Sequence, residues 1–469
     1  MNKLKILIFL ITIILILIVI AFIFPEDGIK ITENFSLHFP TYKKFFNNNK
    51  NIYTINTDSL IQNVDTLILI DTFDLEKIKK EITQIEFPAN DSNCLSNIIE
   101  KLKNISTNGM VRIMHYGDSQ IEGDRITANF RNHLQTQFGG NGIGLCLPVS
   151  PYTQWSIKQE WSNNWNKYTG YGYIDSEIPH KKYGPMITLC RFSPIIKDSI
   201  WQKPEKTYSA WLHYYKSDIG FSNTANFKKI VIYYGNSHAK TKITLKNYEN
   251  ILVCDSLESG EEVFIYSYSA ANYLDDIKIE FEGNDSPDVY GISLEDNYGV
   301  IVDNIGLRGS SGDVFANQNT MMLLHSYLFL SPDLFILQFG GNVLVNVVDN
   351  QSIKNFANYF KAHLLFLKNI NPKASFIVIG PSDMSLKIKD EYQSYPLIED
   401  FIKELKKVTF ESGAAYWDLY KAMGGYNSMI SWVNANPPLA AEDYIHFTPL
   451  GASIVANKFY KAFFFEIKK

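Results

Sequence analysis

Val111-Arg112-Ile113-Met114-His115-Tyr116 is a short, mostly apolar run that ends on Gly117-Asp118-Ser119, and from Thr127 to Phe138 the apolar residues return at helical spacing. A strand that stops on a glycine and a polar pair, followed by a helix, is the βα unit from which parallel sheets are built. It sets Ser119 at the carboxyl edge of the sheet, near the positive end of the following helix. The tripeptide alone says little. Glycine tolerates positive φ and Asp and Ser cap helices, so plain turns contain it as well.

The same texture resumes after residue 300. Val300 to Val302 reads as a strand before a Gly-rich turn, Asn317 to Leu328 as a helix, Leu334 to Phe339 as a strand and Ile353 to Asn369 as a helix. A strand over Ser375 to Ile379 and a helix over Ile398 to Glu411 follow. This alternation predicts an α/β fold with a parallel sheet and helices on both faces. Between about 151 and 300 the texture is different: Ile230 to Tyr234, Lys242 to Leu245, Val263 to Tyr268, Ile277 to Phe281 and Tyr290 to Leu294 are short β-type runs. Turn signals at Ser259-Gly260 and Gly283-Asn284-Asp285 separate them, as in an antiparallel sandwich. The sandwich therefore interrupts the α/β domain as an insertion. Its aromatics, among them Trp155, Trp161, Trp165, Trp201 and Trp211, are large enough to stack on sugars, although core packing is the simpler use of most of them.

Towards the N-terminus, Ile6 to Phe24 is a run of nineteen uncharged residues, about 28 Å as a helix. It reads as an uncleaved membrane anchor, with a cleaved signal and a buried core helix as the alternatives. Lys3 and Lys5 before it and Glu26 and Asp27 after it place the N-terminus inside and the rest of the chain outside the cytoplasm. The expected organisation is an anchor over 1–24, a stalk and lead-in over 25–105, α/β segments over 106–150 and 301–469, and the insert over 151–300. Within the stalk only Leu75, Ile78, Ile82 and Ile85 fall at helical spacing before a short helix between Cys94 and Ile105.

Composition narrows the function. The 469 residues leave room for about three domains, and 46% apolar against 20% charged residues excludes wholesale disorder. With 44 Lys and Arg against 49 Asp and Glu, the basic field of a nucleic-acid binder is missing. Cys94, Cys146, Cys190 and Cys254 are far apart, which argues against a zinc ribbon and leaves one or two disulfides open. No HExxH, P-loop or spaced His/Cys cluster points to a metal or a nucleotide cofactor, so none is expected.

Three further stretches join Gly117-Asp118-Ser119. Asp443-Tyr444-Ile445-His446 puts a carboxylate and an imidazole three apart before a terminal helix over Leu450 to Phe463. Asn304-Ile305-Gly306-Leu307-Arg308-Gly309 is a Gly-rich turn after a strand, and Leu337-Gln338-Phe339-Gly340-Gly341-Asn342 ends another. In a parallel sheet these ends converge on one edge. In this order the four motifs resemble the SGNH, or GDSL, hydrolase family, over roughly 106–150 and 300–469.

The resemblance implies a three-layer, flavodoxin-like sheet in which Ser119 is the nucleophile, His446 its base and Asp443 the group that orients the imidazole. It also implies an oxyanion hole made by the backbone N–H groups of Ser119 and Gly309 and the amide of Asn342. Gly312 is the alternative to Gly309, which is preferred for its spacing from Asn304. Val343 departs from the family pattern, where many members carry Asp, and puts the support of the Asn342 turn in question.

The inserted sandwich, and the stretch Gly117 to Asp124, are similar to bacterial peptidoglycan O-acetylesterases. That likeness implies a membrane-anchored, extracytoplasmic serine esterase that removes O-acetyl groups from a cell-envelope glycan, without cofactor or metal. An O-acetyltransferase with the same triad and a non-catalytic glycan-binding protein are the alternatives. The insert is expected to recruit or orient the polymer, and to be replaceable by a linker without loss of small-ester hydrolysis. Glu122, Asp124 and Arg125 are candidates for the cleft, His115 for a structural histidine, and Cys146 for buried packing.

Overall fold

The computed structural model describes residues 3–25, 29–32, 35–37, 57, 79–105, 109–178, 180–195 and 205–469. Of the expected helix over Leu75–Ile85, residues 75–78 lie outside these residues, as do most of the stalk and Trp201; 79–81 are helical, but 82–85 are not, which shortens the expected helix. The chain divides into two units, Met1–Thr54 and Ile55–Lys469.

The first unit holds α1 (Lys3–Ile23) and a small antiparallel hairpin of β1 (Ile29–Thr32) and β2 (Phe35–Leu37). Along α1 large apolar side chains such as Phe9, Leu15 and Phe22 are more than half exposed. Among the described residues no helix is long and apolar enough to cross a membrane. The expected span is thus not found as such.

The second unit begins with α2 (Ser96–Lys103), β3 (Met110–Gly117) and α3 (Thr127–Phe138). Next come β4 (Gly144–Cys146), β5 (Ile157–Trp161), β6 (Asn166–Thr169), β7 (Thr188–Arg191), β8 (Tyr208–Lys216), a turn of helix α4 (Ser222–Ala225) and β9 (Phe227–Ser237). They are followed by β10 (Thr241–Asn247), β11 (Asn250–Leu257), β12 (Gly260–Leu274), β13 (Asp276–Gly283) and β14 (Asp288–Glu295). The chain then returns to βα units: β15 (Gly299–Gly306), α5 (Thr320–Leu330), β16 (Leu334–Gln338), α6 (Gly341–Leu344), α7 (Asn350–Ile370) and β17 (Ser375–Ile379). A hairpin of β18 (Ser385–Ile388) and β19 (Glu391–Ser394), α8 (Ile398–Glu411), β20 (Ala415–Trp417), α9 (Leu419–Met423), α10 (Ser428–Val433) and α11 (Pro449–Lys468) complete it.

The five-stranded sheet has the order β15-β3-β16-β17-β20, parallel throughout. Its strands are apolar on both faces, as a doubly covered sheet demands. Val111 and Ile113 pack among α2, α3 and α11, while Met114 and Tyr116 face the side of α5, α7 and α8. Local chemistry fixes the helix starts. Asp349 accepts from the N–H of Ser352 and closes a capping box at α7, and Thr448 caps α11 with Pro449 in its first turn.

The insert is a sandwich of β11-β10-β13-β8-β5 against β12-β9-β14-β7-β6, with β4 paired to β14. It starts earlier than the sequence indicates, because Gly144-Leu145-Cys146, only three residues long, is too short to carry a strand signal. Alternate residues of β9 have two destinations. Ile230, Ile232 and Tyr234 fill the sandwich core, whereas Val231 and Tyr233 join Tyr116, Leu307 and Val314 in the core of the α/β part. Replacement of the insert by a linker would strip this apolar face, which corrects the expectation that it can be removed without cost to small-ester hydrolysis. All four cysteines are free. Trp165 packs edge-on against Phe192 and Phe281, so it is core, and Trp161 packs partly buried on the same cluster.

Candidate active site

In chain order the parallel sheet reads 2-1-3-4-5, so β3 lies between its two successors and its carboxyl end is the switch point where open α/β sheets hold their ligands. Register does the rest. Gly117 is level with Gly306 on one side and with Gln338 on the other. Three neighbouring strands thus end together, and the loops after them carry Ser119, Gly309 and Asn342. Gly117 must be glycine: a Cβ there would lie 2.9 Å from the carbonyl of Gln338.

Ser119 does not open a helix directly. A turn and a short 3-10 segment, Glu122–Asp124, separate it from α3, which begins eight residues later. The expected help from the helix dipole is therefore not available to it, because that field fades within a turn. Hydrogen bonds hold the serine turn instead. Gln120 donates to the carbonyl of Ile445 at 2.6 Å, Arg125 donates to the carbonyl of Ser119, and the N–H of Gln120 reaches Asp118 at 2.9 Å. Sequence reading missed Gln120, since nothing local marks a partner 325 residues away.

Ser119 Oγ lies 2.8 Å from His446 Nε2, and His446 Nδ1 lies 2.7 Å from Asp443 Oδ2. The other carboxylate oxygen of Asp443 accepts from the N–H groups of Ile445 and His446, both at 2.9 Å. Partial burial works to raise the Asp443 carboxyl, but these N–H groups and the imidazole outweigh it and hold the group below the usual carboxylate range. With Nδ1–H donated to a carboxylate, Nε2 is left as the acceptor for the serine hydroxyl. Tyr444, at φ 58°, bends the loop between the two and stacks on Tyr392 of β19 with ring centroids 3.6 Å apart.

Gly309 and Gly312 separate cleanly. Both have positive φ, 79° and 83°. A Cβ on Gly312 would stand 2.8 Å from the ring of Phe339, whereas one on Gly309 would meet nothing within 4 Å. Gly312 is a packing glycine; Gly309 borders open space. Asn342 donates one amide N–H to the carbonyl of Ser310 at 3.0 Å, and Val343 N–H bonds to the carbonyl of Gly340 at 3.1 Å. The turn is therefore held by its own backbone and by Ser310, and Val343 does not unsettle it.

Of the remaining candidates, Glu122 and Arg125 stand beside the serine turn, and three are structural. His115 is buried and bonded at both ring nitrogens, to Thr127 at 2.9 Å and Gln338 at 3.1 Å; burial depresses it to about 3, so it stays neutral. Asp124 is a buried ion-pair partner of Arg131 at 2.7 Å. The Cys146 thiol bonds to the carbonyl of Ile292, and burial pushes its pKa up, far from a thiolate. Among the described residues no His, Cys, Asp and Glu cluster is arranged to hold a metal.

No protein-family model and no curated protein matches the chain. Among solved structures, a peptidoglycan O-acetylesterase superposes on 79% of this chain and 96% of its own, with a TM-score of 0.61 and 18% identity. The likeness is one of fold. An acetyl xylan esterase and an acetylxylan esterase from Geobacillus stearothermophilus also align, at 18% and 16% identity. They cover 35% and 34% of this chain and 81% and 71% of their own, with TM-scores of 0.26 and 0.25, too low to bear on the argument. At such identities the likeness speaks for architecture, and the chemistry has to come from the site itself.

Proposed function

We propose that this chain is a serine esterase that removes O-acetyl groups from a cell-envelope glycan through an acyl-enzyme. The observation that carries the reading is the unbroken hydrogen-bonded series Ser119, His446, Asp443 at 2.8 and 2.7 Å, standing at the switch point of the sheet. In this mechanism His446 takes the proton of Ser119 as its oxygen attacks the acetyl carbonyl, and returns it to the departing sugar oxygen. Water then opens the acetyl-serine with the same imidazole as base. The N–H groups of Ser119 and Gly309 and the free N–H of Asn342 stabilise the oxyanion, a role suited to the open space beside Gly309. The glycan substrate is supported by the fold shared with a peptidoglycan O-acetylesterase over 79% of this chain.

The same proposal places the enzyme on the outer face of a membrane. An apolar helix with large side chains exposed from Leu7 to Ile23 needs an apolar surrounding, and lysines at positions 3 and 5 of the sequence favour the N-terminal side inside. Full-length protein in detergent should release acetate from 4-nitrophenyl acetate and take a fluorophosphonate label. Ser119→Ala should lose the label and on the order of 10⁶-fold in kcat. Equal turnover by the two proteins would end the triad reading, and release of the protein from membranes by alkaline carbonate would end the anchor.

A further inference from the structure

Beside the serine turn, the catalytic loops and the sandwich enclose a crevice whose charges the triad does not use. Arg308 stands immediately before Gly309 with its side chain 59% exposed; its Nη1 is 3.5 Å from Glu122 Oε1, and its guanidinium lies 5.4 Å from the ring centre of Tyr152. On the other side of Glu122, Arg125 donates to the Glu122 carbonyl at 3.0 Å and comes within 4.0 Å of the carboxylate. Lys167, from β6 of the sandwich, lines the same crevice with Tyr152 and Tyr171 and feels the charge of Glu122. Asp124 is there too, but Arg131 neutralises it.

Two arginines thus share one carboxylate, Arg308 at Oε1 and Arg125 at Oε2, and Lys167 adds a third positive charge to the crevice lining. Glu122 Oε1 is buried and accepts no hydrogen bond. Asp118 and Asp443 also act on Arg125; Asp443, however, is committed to His446, and Arg125 to the Ser119 carbonyl. The surplus therefore sits on Arg308 and Lys167. Arg308, flanked by Tyr152 and next in the chain to Gly309, presents a planar fork of donors suited to a carboxylate.

We propose that the exposed surface at the mouth of this crevice, between Arg308 and Tyr152, is a subsite for a carboxylate-bearing sugar next to the acetylated one, with Arg308 as its main contact, which makes the substrate an acidic glycan and not a neutral xylan-type chain. The inference rests on the esterase reading for its site but can be tested without turnover. Full-length Ser119→Ala protein in detergent is titrated calorimetrically, at low salt, with tetragalacturonate, with the disaccharide of N-acetylglucosamine and N-acetylmuramic acid, and with xylotetraose. At least one acidic ligand should bind ten-fold or more tightly than xylotetraose, and the one preferred tells whether the carboxylate is carried on the ring or on a lactyl ether. Adding Arg308→Gln should erase the preference at unchanged melting temperature, while Glu122→Gln, by freeing Arg308, should tighten the acidic ligand. Equal affinity for acidic and neutral ligands, binding by none of them, or an Arg308→Gln effect shared by all three would overturn the subsite. Acidic preference in a wild-type protein that hydrolyses no ester would instead overturn the esterase reading and leave the subsite standing.

Discussion

Asp118 sits one residue before the nucleophile and shows how such a site costs stability. Burial pushes its carboxyl up to about 6, against the backbone N–H of Gln120 and the charges of His446 and Arg125. A carboxyl raised in the fold holds its proton more tightly there than in the unfolded chain. Below about pH 4 both states are protonated and the group costs nothing; as pH rises through about 6 it must ionise against burial, and stability falls. Asp118→Asn keeps an oxygen for the Gln120 N–H. The substitution should raise stability at pH 8 by on the order of 2 kcal/mol and leave it unchanged at pH 4, as read from urea midpoints at the two pH values. A gain of the same size at both would mean that titration is not its source. Asn342→Ala tests the other side of the serine. Loss of one oxyanion donor should lower kcat on the order of 10²- to 10³-fold with KM little changed, and a loss confined to KM would place Asn342 in ground-state binding.

At the scale of elements, legibility followed the strength of the local signal. The helices α3 and α8 and the strand β17 have the limits that their periodicity indicates, Thr127–Phe138, Ile398–Glu411 and Ser375–Ile379. The strands β4 to β7 did not register, because at three to five residues with Gly, charged or polar members they show no continuous apolar run of the kind that marks β17. The strand β8 was hidden by its own composition, Tyr208-Ser209-Ala210-Trp211-Leu212-His213-Tyr214-Tyr215-Lys216, in which aromatic and polar residues blur inside from outside. For the site, the motif residues could be read from the sequence, and spacing from Asn304 already favoured Gly309 over Gly312, but the reason that separates the two glycines, what stands above each, is visible only in the fold. A Cβ on Gly312 meets the rings of Phe339 and Phe360 at 2.8 and 3.1 Å. Gly309→Ala should cost only the strain of its backbone, about 1 to 2 kcal/mol. Gly312→Ala should add an overpacking term of about 1 to 3 kcal/mol. Denaturant midpoints of the two variants rank them directly, and a Gly309→Ala protein as destabilised as Gly312→Ala would remove the distinction.

For the unit Ile55–Lys469 as a whole, the question is whether the sandwich is a module or a wall. Its attachment is more than two chain crossings. Arg112 of β3, nearly fully buried, holds Asp303 of β15 through 2.9 Å bonds and also bonds Glu295 of β14; Asp303 in turn accepts from the N–H of Leu145 in β4 at 2.7 Å. The Tyr116 hydroxyl donates to the carbonyl of Pro185 in the insert at 2.6 Å. Charges buried in this way stabilise only while every partner is present, and loss of one leaves the others desolvated and unpaired at a cost of about 3 to 5 kcal/mol. Together with the apolar residues of β9 that belong to the α/β core, this couples the two parts so that neither can unfold and leave the other intact. Calorimetry on the full-length protein should therefore show one transition for this unit, with calorimetric and van't Hoff enthalpies in agreement. Arg112→Ala should shift that single transition downward. Resolution of a separate sandwich transition, in either protein, would show that the insert is an independent module tethered to the enzyme and that the shared core does not bind the two into one.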